Sequence, residues 1–138
     1  MTLSNERGSA LIITMMLLLI LTAVGIYAIS ISTTEMSIAL QSKRGIATLN
    51  SAESGAHYAI DQIPNLVTND NATLTDQTSY SVTSRATGGM TLKSGFGVNY
   101  RFADFEADST GNPPPQFVGQ RRVQAVAIFG PVPVGTMY

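Results

Sequence analysis

From Ala10 to Ile31 the chain runs through 22 positions, ALIITMMLLLILTAVGIYAISI, dominated by Leu, Ile, Met and Ala. No Asp, Glu, Lys, Arg or His lies between Ser9 and Thr34. At 1.5 Å per residue a helix over this run spans roughly 33 Å, enough to cross the hydrocarbon core of a bilayer. A soluble protein could hide such a helix only inside a larger core than 138 residues can build. A secretory signal fits less well, because its apolar region covers only about 7–15 residues before a small-x-small cleavage site. Here helix-forming sequence continues without a break. The run therefore reads as a membrane-spanning helix, with Tyr27 near the interface where aromatic rings settle.

Beyond it the pattern becomes amphipathic. Ile46, Leu49, Ala52, Ala56, Ala59 or Ile60, and Ile63 recur at steps of three and four, with Ser51, Glu53, Ser54, Asp61 and Gln62 on a polar side. Pro64 stops the pattern, since the residue before a proline is pushed out of helical geometry. One helix over 9–63 would be roughly 80 Å long. Its first half, 9–34, would lie in lipid or among other helices, and its second half, 35–63, against a small sheet. Gly25, Gly45 and Gly55 each cost such a helix about 1 kcal/mol relative to Ala. Gly25 would permit close helix approach or bending. Ser30, Ser32, Thr33 and Thr34 can return their hydroxyls to carbonyls one turn back.

Residues 64–138 read as a small β-rich head. The stretch 65–77, rich in Asn, Asp and Thr, predicts a loop. Thr78 to Ala86 predicts a strand, Gly88-Gly89 a turn, and Met90-Thr91-Leu92 a short strand. Phe96, Val98, Tyr100 and Phe102 alternate cleanly and predict the best strand of the set. The three prolines in 108–116, DSTGNPPPQ, favour a stiff, unpaired connection. A last strand is expected from Arg121 to Phe129, with GPVPVGTMY after it as an edge or loop. A helix followed by three or four antiparallel strands gives an α+β fold in which the sheet covers the apolar stripe of the helix.

Composition narrows the chemistry. Eight Lys+Arg against nine Asp+Glu leave a formal charge of −1, so no broad attraction to nucleic acid is expected. There is no cysteine, which removes disulfides, thiol chemistry and the usual ligands of structural zinc and iron–sulfur clusters. No cofactor is predicted. His57 has Asp61 four residues on, within reach on one helix face, but no nucleophile accompanies them, so surface pairing is preferred and no catalytic residue is assigned. Asp104, Glu106 and Asp108 are weak calcium candidates. An EF-hand loop would need Gly where Ser109 stands and Glu where Pro115 stands, so a solvated acidic loop is the default. Arg121-Arg122 beside Lys93 or Arg101 could hold DNA phosphates, yet paired surface cations are commonplace. Asn71-Ala72-Thr73 has the spacing of a glycosylation acceptor.

The N-terminal residues carry a resemblance. Glu6-Arg7-Gly8-Ser9-Ala10-Leu11-Ile12, then Leu21-Thr22, Gly25 and the run Ala52-Glu53-Ser54-Gly55, are similar to the PilX-like minor pilins over roughly residues 5–60. The resemblance implies a pilin-like fold with a leader over 1–8 and removal of that leader between Gly8 and Ser9 by prepilin peptidase. It also implies methylation of the new N-terminus. The membrane-spanning residues would include Ala10, Leu11, Ile12, Ile13, Leu17, Leu18, Leu19, Leu21, Gly25 and Ile31. Expected partners are the lipid bilayer, other pilin or minor pilin subunits, prepilin peptidase and the inner-membrane assembly machinery. The expected location is the bacterial inner membrane, N-terminus in the cytoplasm, and then a pilus at the cell surface. Arg7 flanks the apolar run on the side expected to stay inside, although Lys43-Arg44 lie beyond the other end. The chain departs from the major pilins at the fifth residue after the cut, where they carry Glu and this chain has Ile13. That departure implies a minor pilin or pseudopilin subunit that is tip-proximal or starts assembly. The competing expectation is an anchored binding or adhesion domain that never polymerises.

Overall fold

The computed structural model describes residues 4–135, with side chains described from Gly8. The first three residues of the expected leader and the last three of the tail lie outside the described residues. The elements are α1 (Ser4–Asp61), β1 (Asp70–Thr73), β2 (Ser79–Ala86), β3 (Tyr100–Asn112) and β4 (Arg121–Pro133). They form two compact units, one up to Ser42 and one from Lys43 onward. The described residues of the first are all helical. α1 starts at Ser4, five residues before Ser9, because nothing in Asn5-Glu6-Arg7 breaks a helix and a lone Gly8 costs only about 1 kcal/mol. It ends at Asp61, three residues ahead of Pro64, as the proline requires.

The second unit, the head, packs the last turns of α1 on a four-stranded antiparallel sheet in the order β1-β2-β3-β4. This is the α+β arrangement that the pattern predicts. The apolar stripe of the helix is rotated from the expected one. Thr48, Ser51, Ala52, Gly55, Ala56 and Ala59 are buried, whereas Ile46 and Leu49 are exposed and Ile60 and Ile63 only half-buried. Ser51, assigned to the polar side, is fully buried and donates to the Thr48 carbonyl at 2.8 Å and the Ser79 carbonyl at 3.3 Å. The reason is steric: small residues let the helix backbone come down onto the strands, and large ones would hold it off.

That approach is closest at two glycines. A Cβ on Gly111 of β3 would strike the Thr48 carbonyl oxygen and come within 2.6 Å of Ser51 Oγ and 2.8 Å of the Ala52 amide. One on Gly55 would strike Ser109 Oγ and lie 2.7 Å from the Tyr80 ring. The core beneath is correspondingly slight: Ala59, Val67, Val82 and Ala107, with Tyr80 packed beside them.

The strands differ from expectation in three places. Residues 70–73 form β1, where a loop was expected. A short hairpin holds them on β2, in which Leu74 N donates to the Thr78 carbonyl at 2.8 Å. Phe96 and Val98 are not in a strand, and Met90–Leu92 contributes a single bridge, Thr91 to Phe102. The strand that begins at Tyr100 runs on to Asn112, because both neighbours continue its ladder, so only the prolines and the residues from Gln116 to Gln120 connect it to β4. β4 extends past Phe129 through Pro131 and Pro133, which an edge strand tolerates. Opposite Phe102 it spends an extra residue at Gly130-Pro131. Gly130 adopts φ +147°, and its missing Cβ leaves room for the Phe102 ring.

Gly111→Ala should destabilise the head by about 1–3 kcal/mol, because the added methyl meets helix backbone that cannot step aside. Gly55→Ala should cost less, since it meets side chains and gains about 1 kcal/mol of helix propensity. Gly88→Ala, with open space around it, should be near neutral. Urea denaturation of the full chain in detergent micelles tests this ranking, and equal midpoints for Gly111→Ala and Gly88→Ala would contradict it.

Candidate functional site

The functional surface predicted from the sequence is the N-terminal part of α1. Gly8 and Ser9 are helical and exposed, and nothing lies within 4 Å of where a Gly8 Cβ would be. Ala10 and Gly25 are exposed. Leu11, Ile12, Ile13, Leu17, Leu18, Leu19 and Leu21 are each 54–70 % exposed, and Ile31 is 41 % exposed. None of the most hydrophobic stretch is covered by the chain's own fold, and its length and composition fit a membrane crossing. Its polar side chains suit that setting. Thr14 donates to the Leu11 carbonyl at 2.8 Å and Thr22 to the Leu18 carbonyl at 2.7 Å, so neither hydroxyl asks the surroundings for a partner. Thr33 and Thr34 both return to the Ser30 carbonyl at 2.9 Å, as the sequence predicts for them.

The apolar exposure does not stop where a bilayer would end. Met36, Ile38 and Leu40 come next, then Ile46 and Leu49 on the head's own stretch of helix, all exposed. Sequence periodicity counted Ile46 and Leu49 as core, which concealed this continuation.

On the head the charged residues form pairs. Asp104, Glu106 and Asp108 stand at alternate positions of β3, on the face opposite Phe105, Ala107 and Ser109. They belong to a strand, which corrects the expected acidic loop. Arg85 on β2 donates from Nε and Nη2 to Glu106 Oε2 at 2.9 and 2.6 Å, and this partner holds the Arg85 pKa above its ordinary value. Arg122 on β4 approaches Asp108 at 3.0 Å. No group of three acidic or histidine side chains is arranged to hold a metal ion among the described residues.

The cations proposed to gather for DNA are also apart. Arg121 pairs in register with Gly111 and Arg101 with Val132, about ten residues along the strand and so roughly 33 Å away. Lys93 stays with the latter end, 5.6 Å from the centre of the Phe102 ring. His57 and Asp61 are both exposed, and no ion pair joins them among the described residues. Asn71 is exposed on β1.

Three contacts had no signal in the sequence. The Arg44 guanidinium lies 3.5 Å from the centre of the Phe117 ring, tying the helix to the proline-rich connection. Tyr58 on the helix hydrogen-bonds Asp70 on β1, and that carboxylate raises the phenol's pKa. In the hairpin between β1 and β2, Asp76 accepts from Thr78 Oγ1 at 2.6 Å and from Thr78 N at 3.1 Å, which lowers its pKa.

A lipophilic helix whose later turns pack on a small antiparallel sheet is an α+β, pilin-like layout. Residues 7–56 match the family model of the PilX N-terminal domain, which supports a PilX-like type IV pilin assignment. The matched stretch covers the span, the exposed apolar continuation and most of the helix face that meets the sheet. No curated protein and no solved structure matches the chain.

Because Asp76 titrates below the unfolded carboxylate value, its bonds stabilise the fold above that value and are lost as pH falls through the lowered one. The expected outcome is a shallower acid decline of the head's melting temperature in Asp76→Ala than in the parent, with the two curves separated at neutral pH and converging in acid. Parallel curves throughout would contradict it.

Proposed function

We propose that this chain is a structural minor pilin. Prepilin peptidase cuts it between Gly8 and Ser9. The helix then holds it in the bacterial inner membrane with its N-terminus in the cytoplasm, and the assembly machinery moves it into a type IV pilus-like filament. The observation that carries this reading is the apolar exposure past the bilayer-length run: Met36, Ile38, Leu40 and Ile46 are 67, 60, 42 and 57 % exposed. A bilayer core of about 30 Å accounts for about 20 residues of helix and leaves these in water. At about 25 cal/mol per Å² their exposure is unfavourable, and packing against the helices of neighbouring subunits removes it. An anchored binding domain that never polymerises would have no use for this second apolar stretch. The PilX-family match over residues 7–56 supports the same reading.

Ile13 favours a place at or near the tip. A carboxylate within the bilayer costs about 2.5–3.5 kcal/mol and needs a partner. A subunit that starts assembly meets no neighbour to supply one, and an aliphatic side chain at that position avoids the cost. Immunogold labelling along the fibre tests the placement, and even decoration of the shaft would count against it.

Two experiments test the filament role. Sheared filaments digested with trypsin should yield a peptide beginning at Ser9, a start trypsin does not generate from Arg7-Gly8, and Gly8→Val should abolish it together with filament incorporation. A filament-borne chain that keeps its leader would sink the proposal. Separately, Ile46→Lys with Leu49→Lys should leave membrane levels and head stability unchanged and remove the protein from sheared filaments. Normal incorporation of that variant would favour the anchored binder.

A further inference from the structure

The sheet has two edges, and among the described residues they differ in how they are protected. β1 is four residues long, three of them polar, too short to template another strand. β4 is thirteen residues long, with β3 on one side and, among the described residues, no strand on the other. Native edges of that length usually carry a lysine, an inward charge or a proline near the middle. β4 keeps such features at its ends: Arg121 and Arg122 at the start, and Gly130, Pro131 and Pro133 at the finish. Between them the side chains are nearly all apolar. Val123, Ala125 and Ala127 are half-buried on the helix side, and Val126 and Ile128 are 69 and 54 % exposed on the other.

The chemistry of an edge fixes the shape of what covers it. Unpaired N–H and C=O groups along an extended chain are satisfied in register only by another extended backbone, and apolar side chains on both faces call for apolar residues on both faces of the incoming strand. The flanks set its direction and its end chemistry. Every pair in this sheet is antiparallel. A strand added in the same sense brings its carboxyl-terminal end beside Arg121 and Arg122. Arg122 already faces Asp108 at 3.0 Å, whereas no ion pair engages Arg121 among the described residues. At the other end, the bulge at Gly130-Pro131 stops the ladder. A second copy of β4 would be a poor occupant, because in antiparallel pairing it sets its Ile128 end against Arg121 and supplies no carboxylate.

We infer that β4 is an acceptor edge for the carboxyl-terminal segment of a partner polypeptide, taken up as a fifth antiparallel strand over Arg121–Ile128, with its terminal carboxylate or a final acidic residue against Arg121. The inference stands apart from the filament reading, since it needs neither leader removal nor polymerisation.

The test uses the full chain in detergent micelles and a fluorescent peptide of about eight residues. The peptide alternates threonine and valine and ends in two glutamates with a free carboxyl terminus. Saturable binding by anisotropy is expected, with slowed amide exchange over Arg121–Ile128 and none over Asp70–Thr73. Val126→Lys and Ile128→Lys should each weaken binding about tenfold or more, and both positions are exposed enough to leave the melting temperature unchanged. Arg121→Gln should weaken binding several-fold, and amidating the peptide's terminus should then cost little more. Absence of saturable binding, protection elsewhere on the chain, binding indifferent to Val126→Lys, or the same amides already protected by self-association without peptide would each overturn the inference.

Discussion

The head depends on how near the helix backbone lies to the strands beneath it. Gly111 and Gly55 leave no room for a side chain between the two layers, and Ala52, Ala56 and Ala59 fill the seam with single methyl groups. Such a seam gains from many close contacts and little from large buried surfaces, so its strength is that of dispersion at short range. It also dictates what surrounds it. Larger side chains on the same helix, Ile46 and Leu49, turn outward. Tyr80 must pack at the rim, and Ser51 must return its hydroxyl to nearby carbonyls because no water can reach it.

A head built this way has little stability to spare. Its fully buried apolar residues are mostly alanine and valine, and it has no disulfide to limit the unfolded chain. Small devices therefore matter more than they would in a larger core: the Asp76 bonds in the first hairpin, the Ser84 hydroxyl accepting from Val67 N at 2.7 Å, the Arg44–Phe117 stack. Association would add to them. Any partner that binds only the folded head raises its apparent stability by mass action.

The sequence revealed most where one physical demand ruled the residues. A bilayer core tolerates no charge, so the helix through Ile31 could be read from composition alone, and Pro64 marked its end to within three residues. β2 and the start of β4 were legible because period-two alternation survives wherever one face of a strand is covered. Legibility failed where two demands competed. Ile46 and Leu49 keep perfect helical period, yet the seam wanted small residues and took Thr48, Ser51 and Gly55 instead. β3 was misread because Asp104, Glu106 and Asp108 look like loop sequence. On the outer face of a strand, with Arg85 and Arg122 across from two of them, alternating carboxylates are ordinary cross-strand partners. The missing signal was the cation on the neighbouring strand, which no local window contains. β1 left no trace for the same reason, since its four residues, three of them polar, are held by the register of β2 and not by any preference of their own.

The exposed apolar surfaces of the helix and of β4 ask for different chemistry. Along the helix the uncovered groups are side chains only, because every backbone group in the body of a helix is already paired within it. Such a surface accepts lipid and other apolar helices alike and discriminates weakly between them. A subunit could therefore pass from one environment to the other at little cost in free energy, which is what leaving a bilayer for a filament demands. Along β4 from Arg121 to Ile128, among the described residues, the uncovered groups include one edge of the backbone itself, which lipid cannot satisfy and a helix cannot reach. The helix surface is thus suited to exchange, and the strand edge to selection.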